Sequence, residues 1–220
     1  MRLHILFLLA ISTSAIKNVP LKYMNYNNVK SIIKKIYRNN NKDYNMEHIV
    51  PQSFFKSDKN LKLDMHNIIL YPSKMNIHRS NYKYISNNIF YKDSKLIDGN
   101  GNCIDYLEPI KNNEYCIKTN YKKYFVPCEK YRGQISRACM YVCNTYPKYK
   151  DVIFEKVIDP YTILTWHHEY PVNDFEREKN SKIFEYQKNN NQYITNPDRL
   201  VEHMDYLINV NLDFYKKYKY

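Results

Sequence analysis

Glycine is scarce in this chain, and several familiar site and domain signatures are missing from it. Only 3 of the 220 residues are Gly, while Asn, Lys, Tyr and Ile are abundant, a bias that indicates AT-rich coding. No Cys-x-x-Cys pair occurs, which argues against a zinc site of that kind. The chain also lacks an Asn-x-Ser/Thr sequon, internal repeats and a long linker, so we expect one domain.

The cysteines number five, and an odd count leaves at least one thiol unpaired within the chain. All five lie between residues 103 and 143. Cys139 and Cys143 are four residues apart in a helical pattern, so they are either core residues or a bridge. Secretion would favour disulfides.

The longest apolar run near the N-terminus, Ile5 to Ile11, is too short to span a bilayer. Arg2 precedes it, and the small residues Thr13 and Ala15 follow at a cleavage spacing. We therefore expect a secretory signal peptide over residues 1–15, a secreted protein, and a single domain over residues 16–220. The alternative is a first helix or strand buried in the core.

The charge balance is strongly basic, with a formal net charge of +12 and a pI near 9.3. Such a balance indicates a polyanionic partner: nucleic acid, an anionic membrane surface or an acidic glycan. The compositional bias is an alternative source of the lysines. Apolar residues make up 44% of the chain, which is enough to form a core. Charged residues make up 25%, which is too many for a membrane protein.

Hydrophobic periodicity predicts an α+β fold that is mostly helical. A helix over Asn27–Tyr37 precedes a short strand, Met46–Val50, which Pro51 stops. After a turn comes a second strand, Asp64–Tyr71, and then a helix with Ser73 as its N-cap. An irregular stretch with a turn at residues 98–102 runs to Val126. Further helices are predicted from residue 131, around Pro171, and from residue 199 onward.

Three polar residues in the strand–turn–strand–helix segment could form a hydrolytic site. The Glu47 carboxylate and the Asn76 amide carbonyl are hard oxygen ligands that suit Mg²⁺ or Ca²⁺. His48, as a neutral imidazole, suits a general base. Asn76 falls in the first turn of its helix, where backbone N–H groups favour a phosphate. Together they indicate metal-assisted phosphodiester hydrolysis.

One geometric condition applies to this site. Neighbouring strand residues point to opposite faces, so Glu47 and His48 can share a site only if the strand bends or the phosphate lies past its end. Pro51 shows that regular pairing stops nearby. The alternative is an exposed Glu47 beside a His48 that packs in the core.

Several ordered motifs resemble the endonuclease I family of secreted or periplasmic nucleases. They are "MEHIVPQSFF", "DMHNI", "MNIHRSNY", "RGQISRACMYV" and "LTWHHEYPVNDFEREKNSKIFEYQKNNNQYI", which together cover Asn45 to Ile194. The resemblance implies a ββα-metal (His-Me finger) core with a short sheet over about residues 44–84. Helices would surround this core, and a helical part would extend over about residues 131–220.

The same resemblance implies roles and partners. Glu47 and Asn76 would bind Mg²⁺, with Mn²⁺ or Ca²⁺ as alternatives, and His48 would be the general base. The substrate would be DNA, RNA or both, cut with little sequence preference to leave a 5′-phosphate. We expect a monomer with no membrane association in its mature form.

The chain departs from the family at several positions. Better-known members carry a long insert after the first motif, with an arginine that steadies the scissile phosphate, and here that insert is short. Arg79 could take the phosphate role, or it could be a solvated arginine or a scaffold ion pair. Gln134, Lys179 and Gln192 replace an Asp, an Arg and a Pro of the family pattern.

Four further residues are candidates for nucleic-acid contacts. His66 could line the site or be structural, and His78 could face phosphate or solvent. Of Arg132 and Arg137, we expect one to pack in the scaffold and the other to contact backbone phosphate. Besides an active nuclease, the composition allows a catalytically inactive nucleic-acid-binding protein, or an interaction protein at a membrane or host surface.

Overall fold

The computed structural model describes residues 24–86, 95–98, 103–104, 115–118 and 123–210, with side chains described for residues 24–86 and 123–205. The predicted signal peptide and all but the first residue of the predicted turn at residues 98–102 lie outside the described residues. Where described, the chain is a mixture of helices and two small sheets, which confirms the α+β prediction.

The segment that carries the first motifs is an antiparallel hairpin followed by a helix. Helix α1 (Tyr26–Ile36) precedes strand β1 (Tyr44–His48), which pairs with β2 (Ile68–Pro72) in a register that places His48 opposite Ile68. Helix α4 (Ser73–Arg79) follows β2 directly. The predicted order of two strands followed by a helix is therefore confirmed.

The connection between β1 and β2 is more ordered than a turn. It contains two short helices, α2 (Gln52–Phe55) and α3 (Lys59–Leu63), and a 3-10 turn at Met65–Asn67. Asp58 caps α3 because its carboxylate accepts from the backbone N–H groups of Asn60 and Leu61. Side-chain capping by Asp64 begins the 3-10 turn in the same way.

Two local predictions need correction. The second strand begins at Ile68, because the residues from Asp64 onward form the cap and the 3-10 turn that precede it. Ser73 is the first helical residue of α4, and Pro72 occupies the N-cap without a side-chain hydrogen bond. Proline tolerates that position because the first N–H groups of a helix need no intrahelical acceptor.

A second sheet occupies part of the stretch that we predicted to be irregular. Its strand order is β3-β7-β6-β4-β5, with all pairs antiparallel except the parallel pair of β3 and β7. The strands are β3 (Lys83–Tyr84), β4 (Lys95–Asp98), β5 (Cys103–Ile104), β6 (Tyr115–Lys118) and β7 (Lys123–Val126). All five have four residues or fewer, so the hydrophobic alternation within each is too short to reveal a strand.

Helices form the rest of the described chain, close to where periodicity predicted them. They are α5 (Glu129–Thr145), α6 (Lys150–Lys156), α7 (Pro160–Glu169), α8 (Asp174–Gln187), α9 (Gln192–Thr195) and α10 (Asp198–Val210), with a 3-10 turn at Pro147–Tyr149. Helix α5 is central: most of its residues are buried, and it packs along α7.

The core has two parts, one on each side of the β1–β2 hairpin. Alternate strand residues divide between them: Ile69 and Tyr71 join the larger cluster around α5 and Trp166, whereas Ile68 and Leu70 join a smaller cluster beneath α1. Both faces of the hairpin are thus covered, which holds the end of β1 in a fixed position.

Two findings bear on membrane association and on the thiols. No helix in the described part of the chain has both the length and the apolar character to cross a membrane. Cys139 and Cys143 are buried core residues with free thiols, and Cys128 is also free. The bridge alternative for the first two is therefore wrong.

Candidate active site

One open cleft, of about 400 Å³, brings together four of the residues predicted to form the site. Its lining includes Glu47 and His48 from the end of β1, and Asn76 and Arg79 from α4. Gln52, the first residue of α2, lies on the same cleft. The hairpin and the following helix therefore place these side chains around a single volume.

Glu47 and His48 share the cleft because β1 ends at His48. Beyond that point Asn67 holds the chain: its backbone carbonyl accepts from Ile49 N at 2.9 Å, and its side-chain Oδ1 accepts from Val50 N at 2.9 Å. The chain thus leaves the regular ladder just after the pair, and strand alternation does not separate the two side chains.

Glu47 is buried beside a guanidinium. Its Oε1 accepts from Arg79 Nη1 at 2.6 Å, and its side chain also lines the cleft. Burial raises the pKa of Glu47 to about 7, although the charge and hydrogen bond of Arg79 oppose that change. Near pH 7 Glu47 is therefore partly protonated, and a cation that binds its carboxylate must compete with a proton.

Asn76 is oriented by two hydrogen bonds from its amide nitrogen. Nδ2 donates to Asn45 Oδ1 at 2.7 Å and to the backbone carbonyl of Met46 at 3.3 Å. With the NH₂ group engaged by β1, the carbonyl oxygen Oδ1 is the atom that Asn76 offers as a ligand. This fixes the amide orientation that a cation site requires.

The two ring nitrogens of His48 have different partners. Nε2 lies 2.8 Å from the backbone carbonyl of Lys62, and Nδ1 lies 3.1 Å from the amide nitrogen of Gln52. A carbonyl can only accept, so Nε2 carries the hydrogen and the lone pair of the neutral ring is on Nδ1. Burial, assisted by the charges of Lys62 and Arg79, lowers the pKa of His48, while the bond to Lys62 opposes the change.

The surroundings of His48 include residues that sequence reasoning missed. The ring of Tyr26, from α1, is nearly parallel to the imidazole, with 6.3 Å between centroids. Lys62 supplies the carbonyl and places its ammonium 5.6 Å from the Tyr26 ring centroid. Gln52 follows His48 by four residues. The contact between them could not be predicted from that spacing, because it depends on α2 beginning at Gln52.

Arg79 lies on the predicted helix face, and its bonds in the structure support the scaffold alternative. Besides Glu47, it donates to the backbone carbonyls of His48 at 3.2 Å and Ile49 at 2.7 Å, and its guanidinium lies over the Tyr84 ring. It is almost fully buried. These bonds hold the end of β1. Because Arg79 also lines the cleft, a phosphate contact for it stays a prediction.

The two histidine candidates lie outside the lining of the cleft. His66 is buried, with Nε2 3.2 Å from the carbonyl of Asn189 and its ring against Tyr141. Its placement supports the structural alternative, and burial lowers its pKa. His78 is half-buried on α4, next to the exposed Ile77.

Arg132 and Arg137 both pack in the scaffold, which gives no support to the expectation that one of them contacts backbone phosphate. Arg132 donates to the carbonyl of Pro127 at 2.9 Å and to the Tyr170 hydroxyl at 2.8 Å. Arg137 makes a bidentate pair with Glu176, at 2.6 and 2.8 Å. Both guanidiniums are buried, so neither presents its charge to a nucleic acid.

The three residues that depart from the family pattern each make hydrogen bonds in the structure. Lys179 is buried and donates to the carbonyl of Ile68 at 2.9 Å and to the Tyr37 hydroxyl at 3.1 Å. Burial lowers the pKa of Lys179 to about 8. Gln134 accepts from Tyr37 at 3.4 Å, and Gln192 begins α9 and accepts from Arg199 on the surface.

The donor set of the cleft suits a cation that keeps much of its water. Within the described part of the chain, no group of three or more His, Cys, Asp and Glu side chains could hold a metal ion. Glu47 and Asn76 supply one carboxylate and one amide oxygen, which are hard ligands. Mg²⁺ is commonly held by one or two protein oxygens, with waters and substrate phosphate completing its shell, so these residues fit it.

Comparison with known proteins identifies the family. The model of the family described as Endonuclease I matches residues 11–198, most of the chain. No curated protein matched the sequence. The matched range includes the whole cleft, the hairpin, α4 and the helices through α9. The chain belongs to the endonuclease I family and is a nuclease.

Proposed function

We propose that this protein is a secreted, Mg²⁺-dependent endonuclease that hydrolyses phosphodiester bonds in DNA, and in RNA, with little sequence preference. The observation that carries the proposal is the cleft in which Glu47 and Asn76 offer oxygen ligands beside the lone pair of His48. The basic charge of the chain, +12, favours a polyanionic substrate.

In the proposed reaction, His48 Nδ1 takes a proton from a water, whose oxygen attacks the phosphorus. The bond from phosphorus to the 3′ oxygen breaks, and that oxygen takes a proton from solvent. The products are a 5′-phosphate and a 3′-hydroxyl, and His48 then returns its proton to solvent. The bond from Nε2 to Lys62 keeps the ring in the tautomer that this step needs.

Glu47 and Asn76 would hold the metal ion. When bound, Mg²⁺ supplies positive charge next to the negative charge that develops on the phosphate oxygens. Arg79 has a positioning role: it fixes the Glu47 carboxylate and the backbone that follows it. A low pKa for His48 keeps the imidazole neutral, and therefore able to accept a proton, at neutral pH.

Plasmid nicking in Mg²⁺ tests the proposal. We expect EDTA to abolish cutting and His48→Ala to reduce the rate about 10²- to 10⁴-fold, the usual contribution of a general base. The control is His168→Ala, because His168 is exposed on α7 and remote in sequence from the cleft. The mechanism is wrong if EDTA has no effect or if His48→Ala cuts as fast as wild type. Salt-dependent binding without cutting would indicate an inactive nucleic-acid-binding protein.

A further inference from the structure

Gln52 reaches the nitrogen of His48 that the proposed reaction uses. Its amide nitrogen is 3.1 Å from Nδ1, and because Nε2 donates to Lys62, Nδ1 can only accept in the neutral ring. The hydrogen bond therefore runs from the Gln52 amide to the lone pair of His48. It fixes the amide orientation, with the carbonyl Oε1 on the other side of the group.

The same lone pair must meet a water during hydrolysis. Gln52 is half-buried, lines the open cleft and has three rotatable side-chain bonds, so its amide can withdraw from Nδ1 within the cleft volume. A water between the two side chains would donate one hydrogen to Nδ1 and the other to Oε1. Both hydrogens would then be fixed, and an oxygen lone pair would be directed into the cleft.

We propose that Gln52 is a second catalytic residue, which orients the nucleophilic water together with His48. This inference rests on the proposed hydrolytic function. The proton balance is unchanged: Nδ1 takes one proton, the hydroxide formed keeps the hydrogen bonded to Oε1, and no proton passes to Gln52. The direct bond from Gln52 to Nδ1 is the arrangement without substrate, and the shared water replaces it.

Glutamine is suited to this task because its amide offers both a donor and an acceptor. Nε2 serves the lone pair of His48 before the water enters, and Oε1 accepts from the water afterwards. Methionine has nearly the same length and shape and offers neither group. Gln52→Met therefore removes the proposed interactions while keeping the volume of the side chain.

Steady-state cleavage of an oligonucleotide duplex, with Mn²⁺ affinity measured in parallel, tests the role of Gln52. We expect Gln52→Met to lower kcat about 10- to 100-fold, with KM, Mn²⁺ affinity and melting temperature close to wild type. The matched control is Gln192→Met, a half-buried glutamine at the start of α9 whose side-chain oxygen accepts from Arg199. It should keep the wild-type kcat.

The outcomes separate this inference from the proposed function. A wild-type protein that does not cut would contradict the function itself. If wild type cuts and Gln52→Met retains a kcat within twofold, the catalytic role of Gln52 is wrong. A loss that accompanies weaker Mn²⁺ binding or a lower melting temperature would show a structural role instead. NMR provides a measurement that does not depend on turnover. The ¹⁵N resonance of His48 Nδ1 should shift in Gln52→Met, and an unchanged resonance would overturn the proposal.

Discussion

Arg79 and Glu47 form a buried ion pair at 2.6 Å, with the two side chains 1% and 5% exposed. The guanidinium also donates to two backbone carbonyls that follow Glu47, so one side chain from α4 holds both the carboxylate and the end of β1. The geometry of the cleft therefore depends on a residue that belongs to the scaffold.

Removing this arginine should destabilise the protein strongly. Arg79→Met leaves the Glu47 carboxylate and two carbonyls without their donor, and we expect a loss of about 3–5 kcal/mol in the free energy of unfolding. The control is Arg38→Met, whose pair with Glu178 is 75% and 42% exposed and should cost less than about 1 kcal/mol. Urea unfolding of both variants would measure this, and equal losses would contradict the buried clamp.

Gly133 is predicted to be essential for the packing of α5 against α7. A Cβ at this position would lie 2.3 Å from the carbonyl oxygen of Tyr170 and 2.4 Å from Arg137 Nη2. Alanine favours a helix over glycine by about 1 kcal/mol, but the clash with a backbone atom is larger. We expect Gly133→Ala to lose about 2 kcal/mol in urea unfolding. Asn144→Ala, at an exposed position of the same helix, should change stability by less than about 0.5 kcal/mol.

Sequence reasoning predicted the ββα segment well because its signals were local. Apolar runs of strand length, Pro51 and the helical spacing of α1 each depend on a few neighbouring residues, and the hairpin and α4 formed where those signals indicated. The second sheet was missed because its short strands obtain their stability from partners distant in sequence, such as β3 with β7.

The site shows the same division between local and distant signals. Residue chemistry and spacing named Glu47, His48 and Asn76, which the structure places on one cleft. Spacing placed Arg79 on the correct helix face, but no local pattern predicts its ion pair with Glu47. Arg137 similarly requires Glu176, 39 residues later, before its burial can be understood. Pairing across such distances cannot be obtained from one sequence by periodicity.

His167 should make the stability of the protein sensitive to acid. Its Nδ1 lies 3.3 Å from Arg137 Nη1, and burial together with that charge lowers the pKa of His167 to about 4. The pKa of an unfolded histidine is about 6.5, so the folded state binds the proton less readily. The stability contribution is full above pH 6.5 and is lost as the pH falls from 6.5 towards 4.

His167→Gln keeps an acceptor without a titrating group, which allows a direct comparison. We expect the free energy of unfolding to fall less between pH 7 and pH 4.5 in the variant than in wild type. The comparison uses the difference between the two proteins at each pH, because Glu47, with its raised pKa, contributes with the opposite sign in both. Parallel curves would show that His167 does not cause the acid loss.

Metal affinity should decrease as the pH falls through 7, because Glu47 would be both a ligand and a proton acceptor. Its pKa of about 7 means that the carboxylate is ionised above that pH and must release a proton to bind a cation below it. Well below pH 7 the dissociation constant for Mg²⁺ should rise about tenfold for each pH unit. Calorimetric titration at pH 8, 7 and 6, in buffers of different ionisation enthalpy, would measure the affinity and the proton release together.

Glu47→Gln should bind weakly with little pH dependence, whereas Asn76→Ala should bind weakly and keep the wild-type slope. A wild-type affinity that does not change between pH 8 and pH 6 would show that Glu47 does not hold the metal.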